Sequence, residues 1–244
     1  QFGIRALDET SDLAGATLAH SLQLAPRKKL RKGHVLTSDD LDAIREAGLA
    51  EITVAIPEPG DMMEDTAAGY IADVFALDGF RREDVGTGRV NFHAVADGVL
   101  TVEPERIDAL NRIDPAITLA TLPNHSHVRE GQMIATVKII PFAVDGALVE
   151  RAADEVRAPG TIRVHAFRDG LKVAMIQTRV KGTKKSVLDK TWRVTHARLQ
   201  ELHAELADES RTDHTAAALS EEIAAQIAVA DMVLIFREIG EMEK

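Results

Sequence analysis

The chain has 244 residues, of which 45% are hydrophobic and 28% are charged, and it contains no cysteine. This composition is typical of a globular protein and excludes collagenous, low-complexity and disordered classes. The lack of cysteine excludes a disulfide scaffold, a thiolate nucleophile, an iron–sulfur cluster and a Cys-ligated zinc site. No apolar run is long enough to span a membrane, and Gln1–Arg5 lacks a signal-peptide pattern. We therefore expect a cytoplasmic protein with no membrane partner.

The charge is unevenly distributed. The 29 Lys+Arg and 39 Asp+Glu give a formal net charge of −10, and residues 200–244 alone carry 11 acidic and 3 basic residues. Two short stretches, Arg27–Lys32 and 179–193, are basic. An acidic chain does not suit general binding to nucleic acid, which needs a basic face. The basic stretches are either local anion sites or solvated loops.

Turn residues divide the chain into three regions, 1–56, 57–158 and 159–244. Two prolines and a glycine in Pro57–Gly60 mark the first break, and Ala158–Gly160 marks the second. In the first region we expect a helix capped by Thr37 or Ser38 and then a strand over 52–56. The middle region predicts mixed α+β structure, with helices over 61–77, 104–112 and 147–156 and strands over 99–102 and 133–140.

The third region predicts a three-layer α/β domain. Strands are expected over 162–166, 172–177 and 232–236, with helices over 186–206 and 215–228 between the last two. Such a layer places ligand sites at the carboxyl ends of its strands. The two strands of this layer, over 172–177 and 232–236, cannot form a stable open sheet alone, so we expect either further strands or an incomplete domain. The missing initiator Met and the tail after Phe236 also suggest a trimmed chain.

The strongest candidate site is the loop 178–186, which follows a buried strand and opens a helix. The free N–H groups and the positive dipole end of that helix favour an anion such as phosphate. The spacing is not that of a P-loop, because only one glycine is present. The alternative is a solvated basic loop. The predicted ligand-binding residues supply backbone access, hydroxyl groups and charge: Thr178, Lys181, Gly182, Thr183, Lys184, Lys185, Ser186 and Lys190.

Three weaker candidates have ordinary structural explanations. Gly86-Thr87-Gly88 is an anion loop or a simple turn, and the latter is favoured. His125 and His127 would share one side of a strand but lack a third metal ligand, so no metal site is predicted. The carboxylates at 61, 64 and 65 suit a helix start better than a catalytic pair. Asp213 or Thr215 is expected to cap the helix over 215–228, with His214 as part of that cap, and no catalytic residue is assigned.

Several stretches resemble a known family. Lys32–Thr37, continuing to Val54, resembles the segment that precedes the molybdopterin-binding domain of MoeA-type proteins. Gly88–Phe92, Ile117–Pro123 and Gly131–Phe142 resemble a proteobacterial branch of molybdopterin-binding proteins, often fused to a nucleotidyltransferase of the MobA/MocA kind. The resemblance implies that Lys172–Phe236 forms the core of a MoaB/MoeA-like domain.

The resemblance implies a role in molybdenum cofactor biosynthesis, with molybdopterin or its adenylylated form as ligand. MoeA-type proteins carry Thr-Gly-Asp-Glu where this chain has Thr178–Gly182, so only Thr178 carries over directly. Loss of the acidic pair speaks against magnesium-assisted metal insertion, because Mg²⁺ needs oxygen ligands. Lysines in its place still suit an anionic pterin phosphate. The Gly-Gly-x-Ser-x-Gly loop expected just after Phe236 is not visible.

Two functions stay open at this stage. One is a transferase of cofactor biosynthesis, or the pterin-holding half of a fused nucleotidyltransferase. The other is a non-catalytic sensor or scaffold that has lost the insertase chemistry. Nucleotidyl transfer by this chain itself is disfavoured, because residues 1–30 contain no Gly-rich nucleotide-binding start. Homo-oligomers and a nucleotidyltransferase partner are compatible with both functions.

Overall fold

The computed structural model of the chain describes residues 2–6, by their backbone, and residues 13–237. Contacts divide the chain into two compact units, Gln1–His165 and Ala166–Lys244. In the first unit the described residues form four helices, α1(Ser38–Glu46), α2(Glu64–Asp73), α3(Pro104–Asn111) and α4(Gly146–Val156). Its strands are β1(Phe2–Ala6), β2(Thr17–Leu18), β3(Leu22–Ala25), β4(Lys28–Leu30), β5(Glu51–Ala55), β6(Asp61–Met63), β7(Phe80–Asp84), β8(Arg89–Ala94), β9(Gly98–Val102), β10(Ile117–Thr121), β11(His127–Val128), β12(Met133–Ile139), β13(Ala143–Asp145) and β14(Ile162–Ala166).

The N-terminal part of this unit contains the predicted helix and strand. Thr37 caps α1 in a capping box, because its hydroxyl accepts from the Asp40 N–H while the Asp40 carboxylate accepts from the Thr37 N–H. The next strand, β5, lies between β1 and β2 in an antiparallel sheet. Leu41 and Ile44 of α1 join a separate hydrophobic cluster that runs from Leu13 to Val54. This cluster lies within the predicted region 1–56.

The larger cluster of the first unit surrounds the antiparallel sheet β10-β12-β8-β7, on which α2 packs. At its centre the rings of Phe75 and Phe80 meet Phe92 edge-on, with centroids 5.2 and 5.4 Å away. The predicted helix over 61–77 is wrong at both ends, since α2 covers only Glu64–Asp73. Residues 61–63 form β6 instead, because they pair with β13.

The predicted break at 158–160 lies one strand before the division between the two units. β14 follows this break and adds to the sheet β11-β9-β14, so its backbone is paired within the first unit. Thr161 also accepts a backbone hydrogen bond from Glu103, at 3.0 Å. Pairing with a strand some sixty residues earlier is not visible in the local sequence pattern, which marks only the turn.

The second unit is an α/β layer: β15(Leu171–Arg179), α5(Lys185–Glu201), β16(Ala204–Asp213), α6(Ala216–Gln226) and β17(Met232–Phe236). Its sheet is parallel with the order β16-β15-β17. The two helices lie on opposite faces. Gln177 on β15 donates to the Leu188 carbonyl of α5, whereas Asp208, paired with Ala174, accepts from Gln226 of α6. The α/β class and the three layers are therefore present.

The sequence prediction missed β16. The expected helix over 186–206 ends at Glu201, and residues 204–213 form a third parallel strand rather than a connection. Only Ala204 of this strand is buried, and charged residues occupy half of its ten positions. A partly exposed edge strand need not show apolar alternation, so no strand pattern is visible here. Its sequence also begins with Ala, Glu and Leu, which resemble a continuing helix. With β16 present, the sheet has the further strand that two predicted strands required.

Candidate anion-binding site

A crevice opens at the carboxyl edge of the parallel sheet in the second unit. From β15 the chain crosses first to β16 on one side and then, through α6, to β17 on the other side. This reversal is a topological switch point, where open α/β sheets bind ligands between the two diverging strands. A cavity of about 120 Å³ lies there, lined by Gln177, Thr178, Thr183, Thr191 and Phe236 among others.

Thr178 lies at the base of this crevice. Its side chain is only 2% exposed, and its hydroxyl lies 2.9 Å from Nδ1 of His214 and 3.4 Å from the carbonyl oxygen of Phe236. The hydroxyl has one proton, which it donates either to Nδ1 of His214 or to the Phe236 carbonyl. In the tautomer with a proton on Nδ1, the hydroxyl accepts from the imidazole. Thr178 thus connects the end of β15 to the end of β17 and to the segment that enters α6.

The loop 180–184 bends the chain from β15 into α5. Gly182 has φ of +101°, a conformation that a side chain would strain. The Thr183 hydroxyl accepts from the Val180 N–H at 3.0 Å and donates to the Val180 carbonyl at 2.9 Å. Thr183 therefore closes the loop through both of these hydrogen bonds.

The N-terminus of α5 is not capped by a side chain. Lys184 occupies the N-cap position in extended geometry and makes no side-chain cap hydrogen bond. The N–H groups at the start of an α-helix, with the positive end of a 17-residue helix, favour an anion. Lys181, Lys184 and Lys185 are exposed around this helix start, where their ammonium groups add positive potential.

A larger groove of about 650 Å³ runs along α5 beside Phe236. It is lined by the predicted Ser186 and Lys190 and by Arg193 and Arg198, which are not among the predicted ligand residues. The groove and the crevice share Val187, Thr191 and Phe236, so one ligand can contact both. Helical spacing in the sequence could have identified this face of α5. Its residues recur at intervals of three to four positions: Val187, Thr191, Val194 and Arg198.

Asp189, the acidic residue within the basic stretch 179–193, pairs with an arginine of β16 rather than with the neighbouring lysines. Asp189 accepts from Arg211 of β16 at 2.8 Å, and Arg211 also donates to Glu209 at 2.5 Å. Hydrogen bonding to Glu209 is the main cause that raises the pKa of Arg211, so the guanidinium stays charged. The charge of Asp189 is thus offset by Arg211, and the lysines around α5 keep their positive field.

The structure therefore places the eight predicted residues in three groups. Thr178 and Thr183 line the crevice, Ser186 and Lys190 line the groove, and the remaining four surround the helix start. The sequence reasoning missed His214, whose Nδ1 faces Thr178. It expected this histidine within a helix cap formed by Asp213 or Thr215. Thr215 is indeed the cap of α6, since it accepts from the Ala218 N–H at 3.3 Å, whereas the His214 side chain contacts Thr178. No local pattern signals the Thr178–His214 contact across 36 residues.

The weaker candidates have structural roles. Gly86–Gly88 turns between β7 and β8, and the Asp65 carboxylate accepts from the Gly88 N–H at 2.7 Å. Burial, followed by the nearby Asp65 charge, raises the pKa of Glu64. His127 lies in β11 but His125 lies in the preceding turn, so the expected shared strand is wrong. In the part of the chain that the structure describes, no group of three His, Asp or Glu residues could hold a metal ion.

The chain has a partial match to a family model and a low-scoring similarity to a solved structure. A family model described as a domain of unknown function (DUF8806) matches residues 9–56. The chain matches none of the curated proteins. Among solved structures, it is similar to the molybdopterin biosynthesis MoeA protein from Pyrococcus horikosii, at 14% identity and a TM-score of 0.22. That similarity covers 72% of this chain and 63% of the other, and a TM-score this low does not establish a shared fold.

Helix length and hydropathy bear on membrane association. None of the six helices in the described residues has both the length and the apolar composition needed to cross a membrane.

Proposed function

We propose that the second unit binds a phosphorylated pterin, molybdopterin or its adenylylated form, and acts in molybdenum cofactor biosynthesis. The observation that carries this proposal is the uncapped, lysine-surrounded start of α5 beside Thr178 at the switch point. The resemblance of 32–54, 88–92, 117–123 and 131–142 to molybdopterin-binding proteins supports the choice of a pterin over other phosphorylated ligands.

The available groups match a pterin phosphate in charge. The first N–H groups of α5 and the ammonium groups of Lys181, Lys184 and Lys185 would hold the phosphate. Gly182 leaves room for its close approach to the backbone, since a side chain there is absent and the surrounding space is open. Ser186 and Lys190, with Arg193 and Arg198 farther along the groove, would hold the rest of the ligand or a second phosphate.

Calorimetry with molybdopterin and with its adenylylated form tests this proposal. A Lys181→Ala/Lys185→Ala variant should weaken binding by about 1–3 kcal/mol if charged hydrogen bonds hold the phosphate. The matched control is Lys28→Ala/Lys29→Ala, which removes the same charge from exposed positions on β4 of the first unit. Binding should be unchanged in this control. Equal loss in both variants would indicate a nonspecific charge effect, and no binding to the folded wild-type protein would overturn the proposal.

A non-catalytic pterin-holding sensor or scaffold is the second candidate. It is favoured by Arg179–Gly182, which stands where MoeA-type proteins have an acidic pair that suits a hard cation. The two candidates are separated by adding Mg²⁺ and molybdate to the bound pterin and measuring metal insertion. Insertion supports a transferase, whereas binding without insertion supports the sensor or scaffold. The cytoplasmic location, a homo-oligomer and a nucleotidyltransferase partner stay predictions.

A further inference from the structure

A separate cavity of about 600 Å³ lies in the first unit. Four segments border it: the end of β5, the start of β6, the turn before β10 and the connection between β12 and β13. Pro57, Pro115 and Pro141 are part of its lining. Proline has no N–H to donate to a neighbouring strand, so each of these three positions makes one backbone hydrogen bond fewer with its neighbours. The volume lies within the range of small-molecule sites.

The walls of this cavity are mainly apolar. Ile56, Ile140 and Phe142 contribute aliphatic and aromatic surface. Ile140 is 63% exposed, the highest value among the large apolar side chains that the structure describes in this unit. Its backbone is nevertheless fixed, because the Ile140 N–H donates to the Ala116 carbonyl at 2.9 Å. A ligand that covers this side chain removes apolar surface from water without ordering a mobile segment.

Two carboxylates give the cavity its polar character. Asp61 accepts from the Glu58 N–H at 2.9 Å, and Asp114 accepts from the Ala116 N–H at 2.8 Å. These hydrogen bonds hold each carboxylate in place through one oxygen. Among the described residues, neither carboxylate forms an ion pair with a lysine, arginine or histidine. Their charge is therefore available to a cation from outside.

The aromatic wall already contacts a cation. The Lys32 ammonium lies 5.2 Å from the centroid of the Phe142 ring, a cation–π distance. Replacing this lysine therefore tests whether the bound ligand is positively or negatively charged. The lysine would compete with a bound cation by like-charge repulsion, whereas it would assist a bound anion.

We propose that this cavity binds a small organic cation, a primary amine on an aryl or branched alkyl body. The ammonium pairs with Asp61 or Asp114, and the apolar body lies against Ile140 and Phe142. Charge complementarity selects the occupant. An apolar pocket with two anchored carboxylates, neither in an ion pair within the described part of the chain, favours a cation over an anion or a neutral molecule of equal size. The proposal does not depend on the function proposed for the second unit.

Calorimetry of the full chain with phenethylamine tests the proposal, against 3-phenylpropionate, which has the same aryl-ethyl body and the opposite charge. We expect phenethylamine to bind and phenylpropionate not to bind. Asp114→Asn keeps an acceptor for the Ala116 N–H but removes the charge, and it should weaken binding about tenfold. Asp154→Asn, on the exposed end of α4, makes the same charge change and should have no effect.

Two further variants keep the test decisive if Asp114→Asn does not fold. Lys32→Met should strengthen amine binding severalfold, and Ile140→Ser, at an exposed position, should weaken it. Preferential binding of phenylpropionate, weaker amine binding in Lys32→Met, or no response to phenethylamine at millimolar concentration would each overturn the proposal. Equal binding of both compounds would overturn it as well, because it would leave the carboxylates without a role.

Discussion

The hydroxyl of Thr178 lies 2.9 Å from Nδ1 of His214, which precedes the cap residue of α6. The same hydroxyl lies 3.4 Å from the carbonyl oxygen of Phe236. One side chain at the end of the central strand thus contacts the segment after β16 and the end of β17. This arrangement fixes the three strand ends that enclose the crevice, so the shape of the candidate site depends on Thr178.

Replacing Thr178 by valine tests that dependence. Thr178→Val keeps the shape of the side chain but leaves the Phe236 carbonyl and His214 without their partner, and we expect about 1–3 kcal/mol lower stability of the second unit. Urea unfolding followed by the emission of Trp192, the single tryptophan of the chain, measures this change. Thr178→Ser retains the hydroxyl and should recover most of the loss. A valine variant as stable as the wild type would contradict this role.

Lys184→Asp should change stability and anion binding in opposite directions. Residue 184 has the extended geometry of an N-cap, and aspartate there can accept from a backbone N–H in the first turn of α5. We expect about 1 kcal/mol of added stability and loss of phosphate or pterin-phosphate binding, because the carboxylate occupies the anion position. Urea unfolding and calorimetry measure the two effects. Lys184→Ala, which removes charge without capping, is the control and should lose affinity without gaining stability.

Gly88 and Gly86 form a matched pair in the turn between β7 and β8. Both have positive φ, +67° and +79°, so alanine at either position carries a backbone cost of about 1–2 kcal/mol. A Cβ at Gly88 would also lie 2.6 Å from the Ile139 carbonyl oxygen, whereas nothing lies within 4 Å of one at Gly86. We therefore expect Gly88→Ala to be clearly the more destabilising in urea unfolding followed by circular dichroism. Equal losses of stability would contradict this expectation, since they would show that β12 moves away from the added methyl group at little cost.

Asp40 should make the stability of the first unit depend on acid pH. Its hydrogen bond with His34, followed by that from the Thr37 N–H, lowers the pKa of Asp40 from 3.8 to about 2. The folded state favours the ionised form, so the stabilisation is fully present above the unfolded pKa and is lost as pH falls through about 2. Because water screens this exposed pair, the contribution is under about 1 kcal/mol.

Asp40→Asn measures this contribution. The variant should be less stable than the wild type at pH 7, and the difference should shrink between pH 4 and pH 2 as the wild-type carboxylate is protonated. Unfolding by urea, followed by far-ultraviolet circular dichroism at several pH values, gives the curve. Asp42→Asn on the same helix removes an exposed carboxylate that pairs with Arg45, and it should cost under about 0.5 kcal/mol. A pH-independent difference for Asp40→Asn would contradict the assignment.

Local chemistry made part of this structure predictable. Thr37 and Asp40 signal the start of α1, since a capping box needs only residues three apart. The continuous apolar run in β15 predicts a strand buried on both faces, and Val173–Thr178 are indeed buried. The loop after it and the helix start were predictable as one candidate site, because strand, glycine, lysines and helix follow one another in the chain. The residue roles within that site stay predictions.

Other features depend on partners far away in the chain. β16 is a strand because its backbone pairs with β15, although its own residues favour a helix, and Asp61–Met63 is a strand because it meets β13. His214 faces Thr178 only because the sheet order brings the ends of β15 and β16 side by side.

By itself, the sequence determined the α/β class, the turn at Pro57–Gly60, the cap of α1 and the basic loop after β15, since each depends on neighbouring residues. Only the tertiary structure decided the sheet order β16-β15-β17, the crevice at Thr178 and the apolar cavity beside Asp61 and Asp114. These features arise from hydrogen bonds and packing between residues distant in the chain. No local pattern encodes which strand pairs with which, so the sequence names the chemical groups and the fold decides which of them meet.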